Sequence, residues 1–357
     1  MSGRKRVLNV GIVGLQHLHP RLYMPQFEAV PTTRVVAVSE EDTKLRTSFC
    51  DDYGVKGYSS LKEMLKVEDV DIAAIFLPHA DCPEAAVRCA RKGIHLMVEK
   101  PVAADVRGAL RIDAAAKKAG VLFTTGYCWR MHPVAREFKR LIESGAVGTV
   151  IGAEGRCAAG RVQRYVDGHA GWMLQRGRSG GGPIYNLGVH WIDMFRWMLD
   201  DEVVEASGRN VKVNAKHDVE DNSYAHLKFS KGTILALDIS YTVPDSFPNS
   251  RDLYLAVRGT KGTLSWAPAF EGEKDVLHIC SDAPEYSGSP LRSVEFELTP
   301  VRGYAGCMGF DYIEGFAQAI LKGGKPEISG QDAIAALKVV EAVYRSADEN
   351  RWVKVRK

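Results

Sequence analysis

Two stretches of this chain carry residues that could handle protons. The first is Val98-Glu99-Lys100-Pro101. The apolar run before it, Gly93-Ile94-His95-Leu96-Met97, reads as a short buried strand. The X-Pro bond forces an extended or turn conformation on Lys100, and such a bond can be cis. A lysine at the carboxyl end of such a strand stands where open α/β sheets bind ligands, although the same pair also makes an ordinary turn. The second stretch is Gly180-Gly181-Gly182-Pro183-Ile184-Tyr185-Asn186-Leu187-Gly188-Val189-His190-Trp191-Ile192-Asp193. With helical spacing after the glycines, Asn186, His190 and Asp193 fall at i, i+4 and i+7 and share one face. Leu187, Ile192 and Phe195 flank that face. A histidine placed there can move a proton near neutral pH; a satisfied core histidine leaves the same pattern. The trio is not a usual metal-ligand set, so no metal is expected.

Two further positions bear on a nucleotide. Val7-Leu8-Asn9-Val10-Gly11-Ile12-Val13-Gly14 is a buried strand running into glycine. A dinucleotide fingerprint would place glycines at 14, 16 and 19, and the chain has Gly14, Gln16 and His19. Gly14 supports the tight turn, whereas Gln16 replaces the glycine that lets backbone approach a pyrophosphate. Glu40 closes the second strand, 26 residues after Gly14. An acid there accepts hydrogen bonds from the adenosine ribose. Glu40 and Glu41 together would repel a 2′-phosphate, which favours NAD over NADP; a solvated acidic loop is the other reading.

The elements that must position these residues alternate in kind. Strands are expected at 7–14, 34–38, 71–77, 93–97 and 121–125. Helices are expected at 43–53, from the capping box Ser60-Leu61-Lys62-Glu63, from Asp81-Cys82-Pro83-Glu84 to Gly93, and from Asp105 to Gly120. Near-continuous apolar strands between amphipathic helices specify a doubly wound parallel sheet covered on both faces, here over about 125 residues. From about residue 149 the pattern changes. Runs at 149–157, 203–213, 221–229, 232–241, 252–258, 262–267, 276–280 and 293–298 read as strands with short turns, an antiparallel or mixed sheet. One face of it must be covered or used in association, so a homo-oligomer through that sheet is expected. Asp311 and Ser329 are expected to cap the last two helices. The domains expected are 1–127 and 128–357, with the last helix, 331–349, able to return toward the first.

Bulk properties limit the alternatives. At 357 residues, two domains are the default. Apolar content of 45% and charged content of 25% are those of a soluble globular protein. The net charge is +3, from 47 basic and 44 acidic side chains well mixed, which argues against a nucleic-acid or membrane surface. The seven cysteines (Cys50, Cys82, Cys89, Cys128, Cys157, Cys280 and Cys307) are irregularly spaced without a C-x-x-C, so reduced thiols in a cytoplasmic protein are expected. The basic start, Arg4-Lys5-Arg6, precedes a run only a strand long, neither a signal peptide nor a membrane span.

Taken in order, Gly14, Glu40, Leu77-Pro78-His79, Glu99-Lys100-Pro101, Arg130-Met131-His132-Pro133 and the run Gly180-Gly181-Gly182 to Asn186, Gly188, His190 and Asp193 resemble the glucose-fructose oxidoreductase/inositol dehydrogenase family, Gfo/Idh/MocA, over essentially the whole chain. The resemblance implies an N-terminal Rossmann domain, then an α/β domain with an open, mostly antiparallel sheet. It also implies NAD(P)-dependent oxidation or reduction of hydroxyl groups on sugars, glycosides or cyclitols. Its lysine matches Lys100 and its motif histidine His190, the expected catalytic pair. Cofactor contacts are expected from Gly14, Gln16, His17, Glu40, Leu77, Pro78, His79, Glu99, Lys100, Pro101 and Cys128. Asn186, with Tyr127, Arg130, His132, Tyr165, His169, Trp172, Arg176 and Tyr241, supplies the candidate substrate wall. Many members carry aspartate where this chain has Asn186, which can orient but not accept a proton. Cys82 stands where a histidine is frequent. Two alternatives stay open: a glycoside hydrolase or lyase that uses NAD transiently, and a non-catalytic NAD-binding sensor or scaffold.

Overall fold

The computed structural model describes residues 6–160, 162–244, 246–269 and 273–356. The chain divides into two units, Met1–Cys128 with Tyr165–Gly180 and Val301–Ile334, and Trp129–Arg164 with Gly181–Pro300 and Ala335–Lys357.

The first unit is built on six strands: β1 (Leu8–Val13), β2 (Thr33–Ser39), β3 (Lys56–Tyr58), β4 (Ile72–Ile75), β5 (His95–Val98) and β6 (Phe123–Thr125). They lie in the order β3-β2-β1-β4-β5-β6, all parallel. Strand order reverses between β1 and β4, which opens a crevice at their carboxyl ends. All four residues of β4 are buried, as a strand covered on both faces requires. Burying each of Ile12, Ile75 and Val98 contributes about 1.5–3 kcal/mol. The edge strand β3 left no periodic signal, because Lys56-Gly57-Tyr58 is three residues long and mostly exposed.

Local chemistry sets the helix ends. The Asp42 carboxylate accepts from Lys44 N and Leu45 N, Ser60 Oγ from Glu63 N, and Asp105 from Gly108 N. Asp81 precedes the helix Cys82–Arg91 but makes no side-chain cap; Pro83 in the first turn removes one of the donors. Two later expectations also change. The helix expected to start after Asp311 spans Gly306–Lys322 and contains it, since a left-handed residue at Ala305 (φ 58°) opens the helix earlier. At the helix Gly330–Glu349 the roles are reversed: Asp332 accepts from both the N–H and the hydroxyl of Ser329. The 301–334 segment is tied into the first unit by Gln26 Nε2, which donates to Tyr304 O and Gly306 O, and by Thr124 Oγ1, which donates to Ile328 O.

The second unit carries nine strands: β7 (Val150–Ala159), β8 (Val203–Val211), β9 (Asn222–Phe229), β10 (Ile234–Ser240), β11 (Arg251–Gly259), β12 (Gly262–Trp266), β13 (Lys274–Ser281), β14 (Leu291–Glu297) and β15 (Val353–Lys354). Their order is β14-β13-β12-β11-β7-β10-β9-β8-β15. β7 and β10 run parallel and the other pairings are antiparallel. Burial alternates along β9 and β13, so one face is core. The helix Val189–Leu199 covers that face: Gly155 in β7 leaves room for Trp191 and Phe195, and Trp191 Nε1 donates to Tyr254 O. The other face holds a shallow depression of about 420 Å³ lined by Arg156, Tyr224, His226, Asp238 and Tyr254. Among the described residues no helix is long and apolar enough to cross a membrane.

Candidate active site

At the carboxyl ends of β1, β2 and β4 the first unit opens a cleft of about 410 Å³. Gly14, Gln16, Glu40, Leu77, Pro78 and Arg178 are among its walls. Gly14 has φ 86°, and a Cβ there would stand 2.6 Å from Leu77 Cδ2, so the turn needs glycine on two counts. Glu40 is buried at the rim. Its Oε2 accepts from Leu15 N at 2.7 Å and its Oε1 from Asp42 N at 2.8 Å. Its carboxylate thus ties the turn after β1 to the turn after β2, while lining the cleft. Glycine's absence at 16 is met from outside the turn: Trp172 Nε1 donates to Gln16 O at 2.5 Å. Trp172 also stands edge-on to His79, ring centroids 4.7 Å apart. His79 Nδ1 lies 2.7 Å from Ser179 O and therefore carries the proton there. Burial drives the His79 pKa down to about 3, against the pull of that carbonyl, and drives His17 well below its ordinary value. Both rings are neutral near pH 7. An open cleft at a topological switch point, a positive-φ glycine and an acid at the second strand's end fit a dinucleotide.

Deeper in the same unit, Glu99 and Lys100 follow β5, and the Lys100-Pro101 bond is cis. Both side chains are buried, with Lys100 Nζ 3.9 Å from Glu99 Oε1. His17, His19 and Glu99 place one donor atom each within 4.8 Å of one another. Tyr127 and Cys128 are buried beyond β6, and burial raises the Cys128 thiol to about 12. The 165–180 segment places Tyr165 and Trp172 in the interior and His169 and Arg176 at the surface.

The second unit holds the other candidates. The glycine run meets a tight surrounding: Gly182 N donates to Glu220 Oε1 at 3.0 Å and to Tyr344 OH at 2.9 Å, and a side chain at 181 or 182 would collide with Tyr344 or Glu220. Ile184–Gly188 winds as a π-turn before the α-helix Val189–Leu199. The expected single helical face is therefore interrupted between Asn186 and His190, both buried, and wide turns of this kind recur at functional sites. Asp193 is engaged elsewhere: Arg130 Nε donates to its Oδ2 at 2.8 Å and Nη2 to its Oδ1 at 2.5 Å, both side chains buried. His132 Nδ1 accepts from Val134 N, and its Nε2 lies 3.1 Å from Asp275 Oδ2 while its ring packs against Trp266. These contacts seat the helix Pro133–Glu143 in the core of this unit. Tyr241 is buried just past β10, and its N–H donates to Asp221 O.

Several of these residues escaped sequence reasoning. Glu220 and Tyr344, which shape the glycine run, lie 38 and 162 residues from Gly182. Tyr304, its ring tilted against that of His19 with centroids 4.1 Å apart, lies 285 residues further along the chain. No local pattern announces either pairing.

Comparison with known proteins gives two family matches, an oxidoreductase family with an NAD-binding Rossmann fold over residues 8–127 and a GFO/IDH/MocA C-terminal domain over residues 135–265. The chain is similar to a 1,5-anhydro-D-fructose reductase of Ensifer adhaerens (26% identity, 88% of each chain). It is also similar to a myo-inositol 2-dehydrogenase of Thermotoga maritima (23% identity, 98% of each). Among solved structures it resembles an aldose-aldose oxidoreductase of Caulobacter crescentus complexed with glycerol, at 25% identity and a TM-score of 0.80, over 98% of this chain and 100% of that one.

Proposed function

Because the chain belongs to the Gfo/Idh/MocA family of NAD(P)-dependent oxidoreductases, we propose that it interconverts a ring hydroxyl and a ketone on a sugar, glycoside or cyclitol, with NAD as the preferred cofactor. The observation that carries this reading is the cleft at the carboxyl ends of β1, β2 and β4, with Gly14 at φ 86° and Glu40 on its rim. The relatives support the substrate class, since one is a reductase of 1,5-anhydro-D-fructose and another a dehydrogenase of myo-inositol. The carboxylate of Glu40 supports NAD, because a 2′-phosphate beside it would meet charge of its own sign.

When bound, the cofactor would supply the acceptor for hydride, a proton together with two electrons, leaving the carbinol carbon. This chain's residues handle what remains. The hydroxyl proton must leave the oxygen, and His190 is its acceptor in this reading. Lys100 donates a hydrogen bond to the same oxygen and offsets its developing negative charge. Asn186 orients the substrate or His190 and takes no proton. Gln16 and His17 of the turn after β1, with Trp172 bracing it, would hold the cofactor's phosphates. The exposed face of the nine-stranded sheet, with Tyr224 and Ile234 outward, suits the pairing of two copies, which light scattering reads directly.

The experiment is a screen of the full chain with NAD or NADP and 1,5-anhydro-D-glucitol, myo-inositol and D-glucose, followed at 340 nm. Turnover of a polyol or sugar, lost at least about a hundredfold in Lys100→Met and His190→Gln, supports the assignment. Near-normal turnover in either variant refutes that residue's role. Products at the original oxidation level would favour transient oxidation with elimination instead.

A further inference from the structure

We propose that Glu99 is the counter-ion that keeps Lys100 an ammonium, and that His19 holds Glu99 in place for that task. The inference rests on the proposed role of Lys100 and divides the proton chemistry. Lys100 supplies charge and a hydrogen-bond donor, and the proton acceptor is another group.

The geometry lies within the first unit. Glu99 Oε1 is 3.9 Å from Lys100 Nζ and 3.3 Å from His19 Nδ1, and the Glu99 side chain is 2% exposed. At 3.3 Å His19 Nδ1 completes no hydrogen bond to Glu99 Oε1, so it acts on the carboxylate through the polarity of its ring nitrogen. His19 occupies the position of the third fingerprint glycine, and a glycine there would leave Glu99 without this neighbour. The ring of His19 is held by Tyr304, centroids 4.1 Å apart, and Tyr304 in turn stacks on Tyr23 at 5.0 Å. The loop that delivers Tyr304 holds one residue in an unfavourable conformation, Ala305 at φ 58°, between Gly303 and Gly306, whose positive φ of 111° and 56° glycine adopts freely. Such conformations persist only where surrounding contacts over-determine them. Here Tyr304 N donates to Leu22 O, and Tyr304 O accepts from Gln26 Nε2.

The other ionisable groups facing this pair within the unit are His17 on the turn after β1, Tyr23 on the helix Pro20–Ala29, and His79 and Cys82 at the start of the helix Cys82–Arg91. Cys128 beyond β6, Tyr304, and Tyr312 on the helix Gly306–Lys322 also face it. Burial keeps both of those histidines neutral. Burial also raises Tyr23, Tyr312, Cys82 and Cys128, so these stay protonated. These two histidines, two tyrosines and two thiols bring no charge to this spot at neutral pH. The Glu99 charge acts on Lys100 and His19 because its Oε1 stands 3.9 Å from the one nitrogen and 3.3 Å from the other. A buried ammonium next to a carboxylate resists losing its proton, which disqualifies it as a base near neutrality and suits it to stabilise negative charge on oxygen.

Trace acetylation of the full chain with acetic anhydride over a pH series, read by mass spectrometry at Lys100 against the exposed Lys322, tests this without a substrate. Glu99→Gln should lower the labelling midpoint of Lys100 by about one pH unit or more, which is about tenfold faster labelling at a fixed pH below it. His19→Phe keeps a ring against Tyr304 but has no Nδ1, and should shift the midpoint the same way. His19→Asn, whose amide nitrogen stands near the Nδ1 position, should restore it. A midpoint unmoved in Glu99→Gln, or moved as far by His19→Asn as by His19→Phe, overturns the proposal. So does one equivalent of zinc retained by the native protein and lost in His17→Ala, since the cluster would then serve a metal. Full turnover in Lys100→Met would instead refute the catalytic role of Lys100, an outcome independent of the labelling midpoint.

Discussion

Glu40→Gln separates what one carboxylate does for the fold from what it does for the cofactor. The substitution keeps shape and removes charge. In the native protein the two oxygens accept from Leu15 N at 2.7 Å and Asp42 N at 2.8 Å, in a side chain that is buried. The glutamine carbonyl can accept from one of these; its NH2 would face the other N–H. Losing one charge-assisted bond at a buried donor costs about 2 kcal/mol. For a unit of this size that lowers the melting temperature by about 4–8 °C. A ribose hydroxyl bound to a charged acceptor contributes about 1.5–3 kcal/mol, so NAD affinity should fall about ten- to a hundredfold. NADP should lose less or gain, because the repulsion of its 2′-phosphate is relieved, and the preference between the two narrows. Circular dichroism melts give the first quantity. Calorimetric titrations with each cofactor at one ionic strength give the second. If wild-type protein binds NADP as tightly as NAD and the variant changes neither, Glu40 does not meet the ribose. If the melting temperature is unmoved, Glu40 does not hold the turn.

Two other predictions concern stability. Arg130→Met takes two hydrogen bonds from the buried Asp193 carboxylate, with Arg196 Nη1 still 3.9 Å from it, and should cost about 2–3 kcal/mol in urea unfolding, whereas Arg130→Met with Asp193→Leu should recover most of it; equal costs would mean the pair is not desolvated. His79 titrates near 3 in the folded protein against about 6.5 unfolded, so the unfolded chain binds the proton between those values and stability is lost as pH falls through that window. By pH 5 the loss is about 2 kcal/mol, and His17, lowered in the same direction, adds to it. His79→Asn keeps a donor for Ser179 O but cannot titrate, and should lose less stability between pH 7.5 and pH 5 than wild type; identical losses would show that His79 is not held neutral.

Much of the first unit was legible in advance because its information is local. Apolar runs of strand length, Asp42, Ser60 and Asp105 before their helices, and Gly14 with Glu40 at strand ends are each readable within a few residues. The same holds for the strands of the second unit, whose alternation survives in burial. What was not legible depends on residues far apart in the chain meeting in space. Arg130 and His132 look like a basic, aromatic site wall in sequence, yet their buried carboxylate partners, Asp193 and Asp275, lie 63 and 143 residues away. Asn186, His190 and Asp193 have ideal helical spacing, but the π-turn over Ile184–Gly188 interrupts it, and backbone winding of that kind has no side-chain signature. By itself the sequence determined the parallel sheet, its crevice and the lysine at a strand's end, because periodicity and turn chemistry are local. Only the tertiary structure decided which polar side chains are held in core ion pairs and which surround Lys100. A side chain's charge state and availability depend on the neighbours that packing brings to it, and Glu99 gains its neighbour His19 from 80 residues earlier in the chain.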